Sequence, residues 1–242
     1  MIETVDLHKS FNGQQVLRGV NLRIREGEML ALIGKSGGGK SVLLRNMMGL
    51  MRPDKGRVLI DGVDVHNSST SQRKSLKERF GVLFQGGALF DSMTVFDNVA
   101  FPLREKWKLP EEEIRERVMR ELSMVGLEGS ENKYPAEISG GMRKRVALAR
   151  AIIHNPKIVF FDEPTTGLDP LTAKSIRQLI HSTHARLNFT GVIVTHEAGG
   201  LFSIVDRVAL LHDGKIAAIG PPRELLESSD PVVREFLDAY LG

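Results

Sequence analysis

The sequence predicts an α/β fold: a mixed sheet core, with an antiparallel β subdomain at its N-terminus and an inserted helical subdomain. Three observations predict it. The first eighty-odd residues are rich in β-type segments separated by turn residues. Residues 86–155 change to helical character, and from residue 156 strand and helix signals alternate. Such alternation argues for parallel strands covered by helices on both faces.

The elements follow in order. "IETVDL" (2–7), "VLRGVNLRI" (16–24) and "MLALIG" (29–34) run or alternate apolar, and the last ends in a glycine-rich loop before the helix "SVLLRNMMGL" (41–50). Strand signals return at "RVLIDG" (57–62) and "FGVLFQ" (80–85). Pro110 and three glutamates open "PEEEIRERVMRELSMVGL" (110–127), charges suited to the positive end of a helix, and Ile114, Val118, Leu122 and Val125 share one face. Next come the strand "KIVFFDE" (157–163), the helix "LTAKSIRQLIHSTHARL" (171–187), "TGVIVTHE" (190–197), "DRVALLHDGKIAAIG" (206–220) and the helix "PVVREFLDAYL" (231–241). The expected division is a core of 1–85 and 156–229, a helical subdomain of 86–155 and a C-terminal helix of 230–242. That helix, with Val232, Val233, Phe236, Leu237 and Tyr240, is expected to pack on its own domain.

Composition narrows the function. Among 242 residues, 33 Lys and Arg stand against 30 Asp and Glu, a net charge of +3 that does not favour nucleic acid. No cysteine is present, which excludes disulfides and thiolate metal sites. The opening "MIETVDLHKSFNG" has no apolar signal core, and no stretch approaches a membrane span, so a cytoplasmic location is expected.

"GKSGGGKS" fits G-x-x-x-x-G-K-[ST], between an apolar strand and a helix. In that pattern Gly34, Lys35, Ser36, Gly37, Gly38 and Gly39 turn backbone N–H groups onto phosphate oxygens, and the helix N-terminus adds partial positive charge. Lys40 reaches the β- and γ-phosphates, Ser41 helps hold Mg²⁺, and Val42 continues the helix. "IVFFDEP" supplies the second half. Its four apolar residues put Asp162 at the end of a buried strand, where it can hold Mg²⁺ through water. Glu163 is suited to take a proton from an attacking water. Together the two motifs bind a nucleoside triphosphate. A GTPase reading fails, because "NKYP" (132–135) lacks the Asp of N-K-x-D.

"ISGGMRKRVALARA" (138–151) opens a helix on Gly-Gly, although each Gly costs roughly 1 kcal/mol of helix stability relative to Ala. This segment, shortly before "FFDE", resembles the ATPase subunit of ABC transporters over essentially the whole chain. The resemblance implies a P-loop, RecA-like core of ABC-ATPase type. It implies that Phe11 stacks on adenine, that Gln85 senses Mg²⁺ and links to a membrane partner, and that His196 is the switch histidine. Ser139, Gly140 and Gly141 then form the signature loop, Met142 stands where many relatives have Gln, and Asp169 of "GLD" lies in a dimer-contacting loop. Two copies would face head to tail over two ATP molecules, one copy's signature capping the γ-phosphate in its neighbour's cradle. Glycines without Cβ would leave the helix N–H groups accessible to phosphate.

Finer likeness lies in "LFQGGALFDSMTVFDNVAFPLRE" (83–105) together with the signature segment. Both resemble the ATPases of MCE-type lipid systems, such as the Mla phospholipid transporter between the two membranes of a bacterial envelope. That implies a multispanning permease dimer, a periplasmic MCE-domain protein and a small STAS-domain protein as partners, at the cytoplasmic face of the inner membrane. Ala88, Leu89 and Phe90 would help receive the permease. The alternatives are an importer ATPase for small solutes and, further off, a soluble ABC-type ATPase acting on nucleic acid or the ribosome.

Overall fold

The computed structural model describes residues 2–196 and 200–241. Along the chain run β1 (Ile2–Phe11), β2 (Gln14–Ile24), β3 (Met29–Ile33), α1 (Lys40–Met47), β4 (Lys55–Ile60), β5 (Val63–Asp64) and α2 (Thr70–Glu78). They are followed by β6 (Phe80–Leu83), α3 (Val95–Pro102), α4 (Glu111–Met124), α5 (Gly140–Ile152), β7 (Ile158–Asp162) and α6 (Pro170–Leu187). The remainder is β8 (Thr190–Val194), β9 (Arg207–His212), β10 (Lys215–Gly220), α7 (Pro222–Leu226) and α8 (Pro231–Leu241). The chain forms two units, one of residues 1–79 and 189–242, the other of 80–188. The α/β expectation is borne out. Among the described residues no helix is long and apolar enough to cross a membrane.

In the first unit, β1 pairs antiparallel with β2 and β4, and β5 extends that sheet. Asn12 and Gly13, both at positive φ, close the β1–β2 hairpin, the backbone that a tight two-residue turn needs. A separate set centres on β3, which is parallel to β8 on one side and β9 on the other, with β10 antiparallel at the edge. All five residues of β3 and of β8 are buried, as parallel strands covered on both faces require. Val233, Phe236 and Leu237 of α8 pack on Ala31, Ile33, Val208 and Leu210, so the last helix does lie on its own domain.

In the second unit, β6 and β7 run parallel. The expected face of α4 is its buried one, since Ile114, Val118, Leu122 and Val125 are each at most 1% exposed. They join Val95 and Val99 of α3 and Val146 and Ala149 of α5 in one core. At about 1.5–3 kcal/mol per buried aliphatic side chain, this core is what holds α5 in place.

Candidate active site

The cradle follows β3 directly. A Cβ on Gly34 would lie 2.4 Å from the Leu211 carbonyl oxygen, so only Gly lets the chain leave the strand there. Gly39 caps α1 at φ 97° with no side-chain hydrogen bond, and the first turn carries no acidic residue. The helix thus presents its N–H groups and dipole without an internal carboxylate competing for them. Lys40 is 5% exposed, and its Nζ donates to the carbonyls of Gly34 (2.8 Å) and Lys35 (2.9 Å), so the ammonium spans the loop. Lys35 donates outward to Glu235 of α8 at 2.7 Å. Ser41 and Val42, half-buried, complete the first turn. A cleft of about 180 Å³ opens beside Lys35, Gly37 and Gly38 and reaches Gln14 to Val16 of β2. Phe11, 42% exposed, ends β1 at the same hairpin, with the Lys9 ammonium 5.5 Å from its ring centre.

His196 belongs to this unit too. Leu32 pairs with Val194 across parallel β3 and β8, and Gly34 and His196 each follow two residues after that pair. Glu197, beside it in the "THE" segment, lies outside the described residues.

The second unit repeats this geometry. Leu83 pairs with Phe161 in parallel β6 and β7, so Gln85 and Glu163 emerge as neighbours. Gln85 sits in an exposed turn, whereas Asp162 and Glu163 are each 8% exposed. Glu163 has φ 51°, a left-handed backbone costing about 1–3 kcal/mol for a residue with a Cβ. Thr166 and Lys144 help hold it. Thr166 Oγ1 donates to its carboxylate at 2.8 Å, and its carbonyl accepts from Lys144 Nζ at 3.2 Å. Lys144 also donates to the Gln85 carbonyl. Hydrogen bonds to a charged group are worth about 1.5–3 kcal/mol, enough to offset the backbone cost. Burial pulls the Lys144 pKa below its ordinary value, while the Glu163 and Asp162 carboxylates oppose that.

Ser139 caps α5: its Oγ accepts from the Met142 N–H at 3.2 Å, and the side chain is exposed. The half-buried Met142 packs on the helical core. A polar residue is therefore not needed at that place. Gly141 answers to packing as well as to access, because a Cβ there would meet Thr172 Cγ2 at 2.5 Å. At Gly140 a Cβ would find only ordinary contact, 3.6 Å from Leu168, so packing does not demand Gly at that position. Asp169 caps α6 by accepting from the Leu171 and Thr172 N–H groups, and the Thr172 side chain first, with those N–H groups after it, holds its carboxyl below the usual range.

Lys144 and Thr166 were not expected from sequence. One signal for Lys144 was present: Gly141, Lys144, Leu148 and Ala151 fall at helical spacing on the buried stripe of α5, where a lone charge is out of place.

Beyond Gln85, Arg150 donates to the carbonyls of Gly87 (2.6 Å) and Ala88 (2.8 Å), and Asn98 ties down Phe90 through both its N–H and its carbonyl. These bonds shape a mostly apolar cleft of about 470 Å³ lined by Phe80, Phe84, Phe90, Phe101, Arg150 and His154. The His154 ring stacks on Trp107 at 4.8 Å, and Nε2 is 3.1 Å from the Phe80 carbonyl. Burial first, and the Lys106 charge second, lower the His154 pKa from 6.5 to about 4. The unfolded chain therefore takes up a proton at this residue below pH 6.5 while the folded one resists until about pH 4. Between those values stability falls with falling pH, by about 2–3 kcal/mol from pH 7 to 4.5. His154→Gln, which keeps a donor for Phe80, is expected to flatten that part of the urea-unfolding profile. A profile unchanged by the substitution would place the acid sensitivity elsewhere.

Among the described residues no cluster of three or more His, Cys, Asp or Glu could hold a metal ion.

The ABC transporter family model matches residues 17–166. The probable ribonucleotide transport ATP-binding protein mkl of Mycobacterium leprae is 46% identical over 237 residues, 98% of this chain and 68% of that protein. The intermembrane phospholipid transport system ATP-binding protein MlaF of Haemophilus influenzae is 40% identical over 98% of this chain and 90% of its own length. A dimeric ATP-binding cassette solved in a post-hydrolysis state with ADP and Pi superposes with a TM-score of 0.83 at 32% identity, over 92% of this chain and 99% of that one. With a family match across the cradle, the signature helix and the acidic strand, the chain belongs to the ABC transporters, as one of their ATP-binding, ATP-hydrolysing subunits.

Proposed function

We propose that this subunit powers phospholipid transport between the inner and outer membranes of a bacterial envelope, within an MCE-type system like Mla. The observation that carries the reading is the likeness to MlaF, which runs over nearly the whole of both chains. It works as a homodimer, peripheral to the cytoplasmic face of the inner membrane, on a permease dimer. A periplasmic MCE-domain protein and a small STAS-domain protein complete the assembly. The permease docks in the Phe84–Phe90 cleft, whose apolar wall and Arg150 suit an amphipathic helix end.

The site residues take these roles. Phe11 stacks on adenine, Gly34 to Val42 cradle the phosphates, and Lys40 bonds the β- and γ-phosphates. Ser139, Gly140, Gly141 and Met142 cap the γ-phosphate held by the second copy, and Asp169 orders the loop between copies. Residues 86–155 act as the helical subdomain that carries this cap. Glu163 takes a proton from the attacking water, and His196 keeps water and γ-phosphate in line. Ser41, Gln85 and Asp162 would hold Mg²⁺, which supplies charge neutralisation as the γ-phosphate leaves.

The mkl relative favours a second reading, a small-solute importer, because its identity of 46% is the higher of the two. Affinity purification in gentle detergent separates them. Recovery of a multispanning permease with an MCE-domain protein and bound phospholipid is expected. A solute permease without an MCE component would overturn the lipid assignment and leave the ATPase intact.

A further inference from the structure

Lys144 is a buried cation on the helix whose tip is the Ser139–Gly141 signature, four residues from the first glycine. The side chain is 6% exposed and turns inward to two backbone carbonyls. One belongs to Gln85 and the other to Glu163, residues 59 and 19 positions away in sequence. Both carbonyls belong to residues just past the ends of the neighbouring parallel strands β6 and β7. An ammonium has three N–H donors and no acceptor, so it can hold two carbonyls at once, which a neutral apolar side chain cannot. Glu163 is the residue in this segment with a left-handed backbone, and its carbonyl direction fixes where its side chain starts.

We propose that Lys144 is a positioning residue of the hydrolytic site: its ammonium ties Gln85 and Glu163 to the signature helix and thereby aims the Glu163 carboxylate. The inference rests on Glu163 being the group that takes the proton from water. A carboxylate displaced by about 1 Å costs up to about 100-fold in rate without touching the nucleotide. Arg143 and Arg145, the neighbours in sequence, do not share the task. Arg143 donates to the Pro135 and Ile138 carbonyls, and Arg145 to the Val125 carbonyl and Ser175.

The test measures ATPase kcat and KM, binding of a fluorescent non-hydrolysable ATP analogue, and urea midpoints on the full chain. Lys144→Met is expected to lower kcat about 10- to 100-fold with KM and analogue affinity within about threefold of the parent. Lys144→Gln, whose amide still donates, is expected to lose less, and it carries the same test if the Met form does not fold. An unchanged kcat in either folded variant would overturn the proposal. So would losses of kcat and affinity that simply track lost stability. Glu163→Gln is run alongside. If that variant still hydrolyses ATP, the assignment of Glu163 fails and takes this inference with it; if it is inactive while the Lys144 variants are normal, only the inference fails.

Discussion

Glu163→Gln is expected to lower ATP turnover by about 10²–10⁴-fold, the range for loss of a positioned general base, while ATP affinity stays within a few-fold. The substitution is nearly isosteric. A Gln side-chain oxygen can still accept from Thr166 Oγ1, and the backbone carbonyl still faces Lys144, so the segment keeps its conformation. What disappears is the basicity of a carboxylate that is 8% exposed and held in one orientation. ATP then persists in the site instead of being turned over, and the two-copy form that it bridges accumulates. Light scattering on the ATP-loaded variant should therefore report a dimer where the parent, turning over, gives a mixture. Undiminished hydrolysis would remove Glu163 from this role. A strictly monomeric ATP-loaded variant, even with its permease, would contradict the shared-site arrangement itself.

The parts of this site that the sequence makes legible are those that depend on neighbours along the chain. The cradle and the acidic strand are local motifs, and a strand–loop–helix context suffices to read them. The amphipathic face of α4 follows from spacing alone, and Ile114, Val118, Leu122 and Val125 are all buried. Two features depend on contacts from elsewhere and stay hidden. Gly141 reads as an opening for phosphate, yet Thr172, 31 positions on, already forbids a Cβ there. In sequence Lys144 is one of three basic residues, Arg143 to Arg145, read as packing, solvating or neutralising locally, because the carbonyls that receive it come from beyond two distant strands. The run 206–220 reads as one strand, although Asp213 and Gly214, both at positive φ, fold it into the β9–β10 hairpin. That turn had an Asp-Gly signal, and α3 likewise had a Thr94–Asp97 cap, with Thr94 Oγ1 accepting from the Asp97 N–H. α3 is only 8 residues long and ends in Pro102, too short for periodicity to stand out.

Lys40→Ala is expected to fail at an earlier step than Glu163→Gln, and the contrast between the two separates binding from chemistry. The Lys40 ammonium is buried against the carbonyls of Gly34 and Lys35, so it acts twice. It braces the loop from within, and it brings a positive charge to the mouth of a helix N-terminus that carries no acidic residue. Removing it deletes charge-assisted hydrogen bonds worth about 1.5–3 kcal/mol, which corresponds to roughly 10- to 100-fold weaker ATP binding. Hydrolysis is expected to fall as well, because in the proposed role of Lys40 the charge that meets the γ-phosphate is gone along with the affinity. Lys40→Arg is no remedy, since a planar guanidinium is larger than the ammonium and cannot reproduce both carbonyl bonds within the loop. Equilibrium titration with ATP and single-turnover hydrolysis distinguish the two variants: Glu163→Gln keeps the first and loses the second, and Lys40→Ala loses both. If Lys40→Ala bound ATP as tightly as the parent, the loop would be holding phosphate by backbone N–H groups alone, and the two carbonyl bonds of Lys40 would be a bracing contact without a share in recognition.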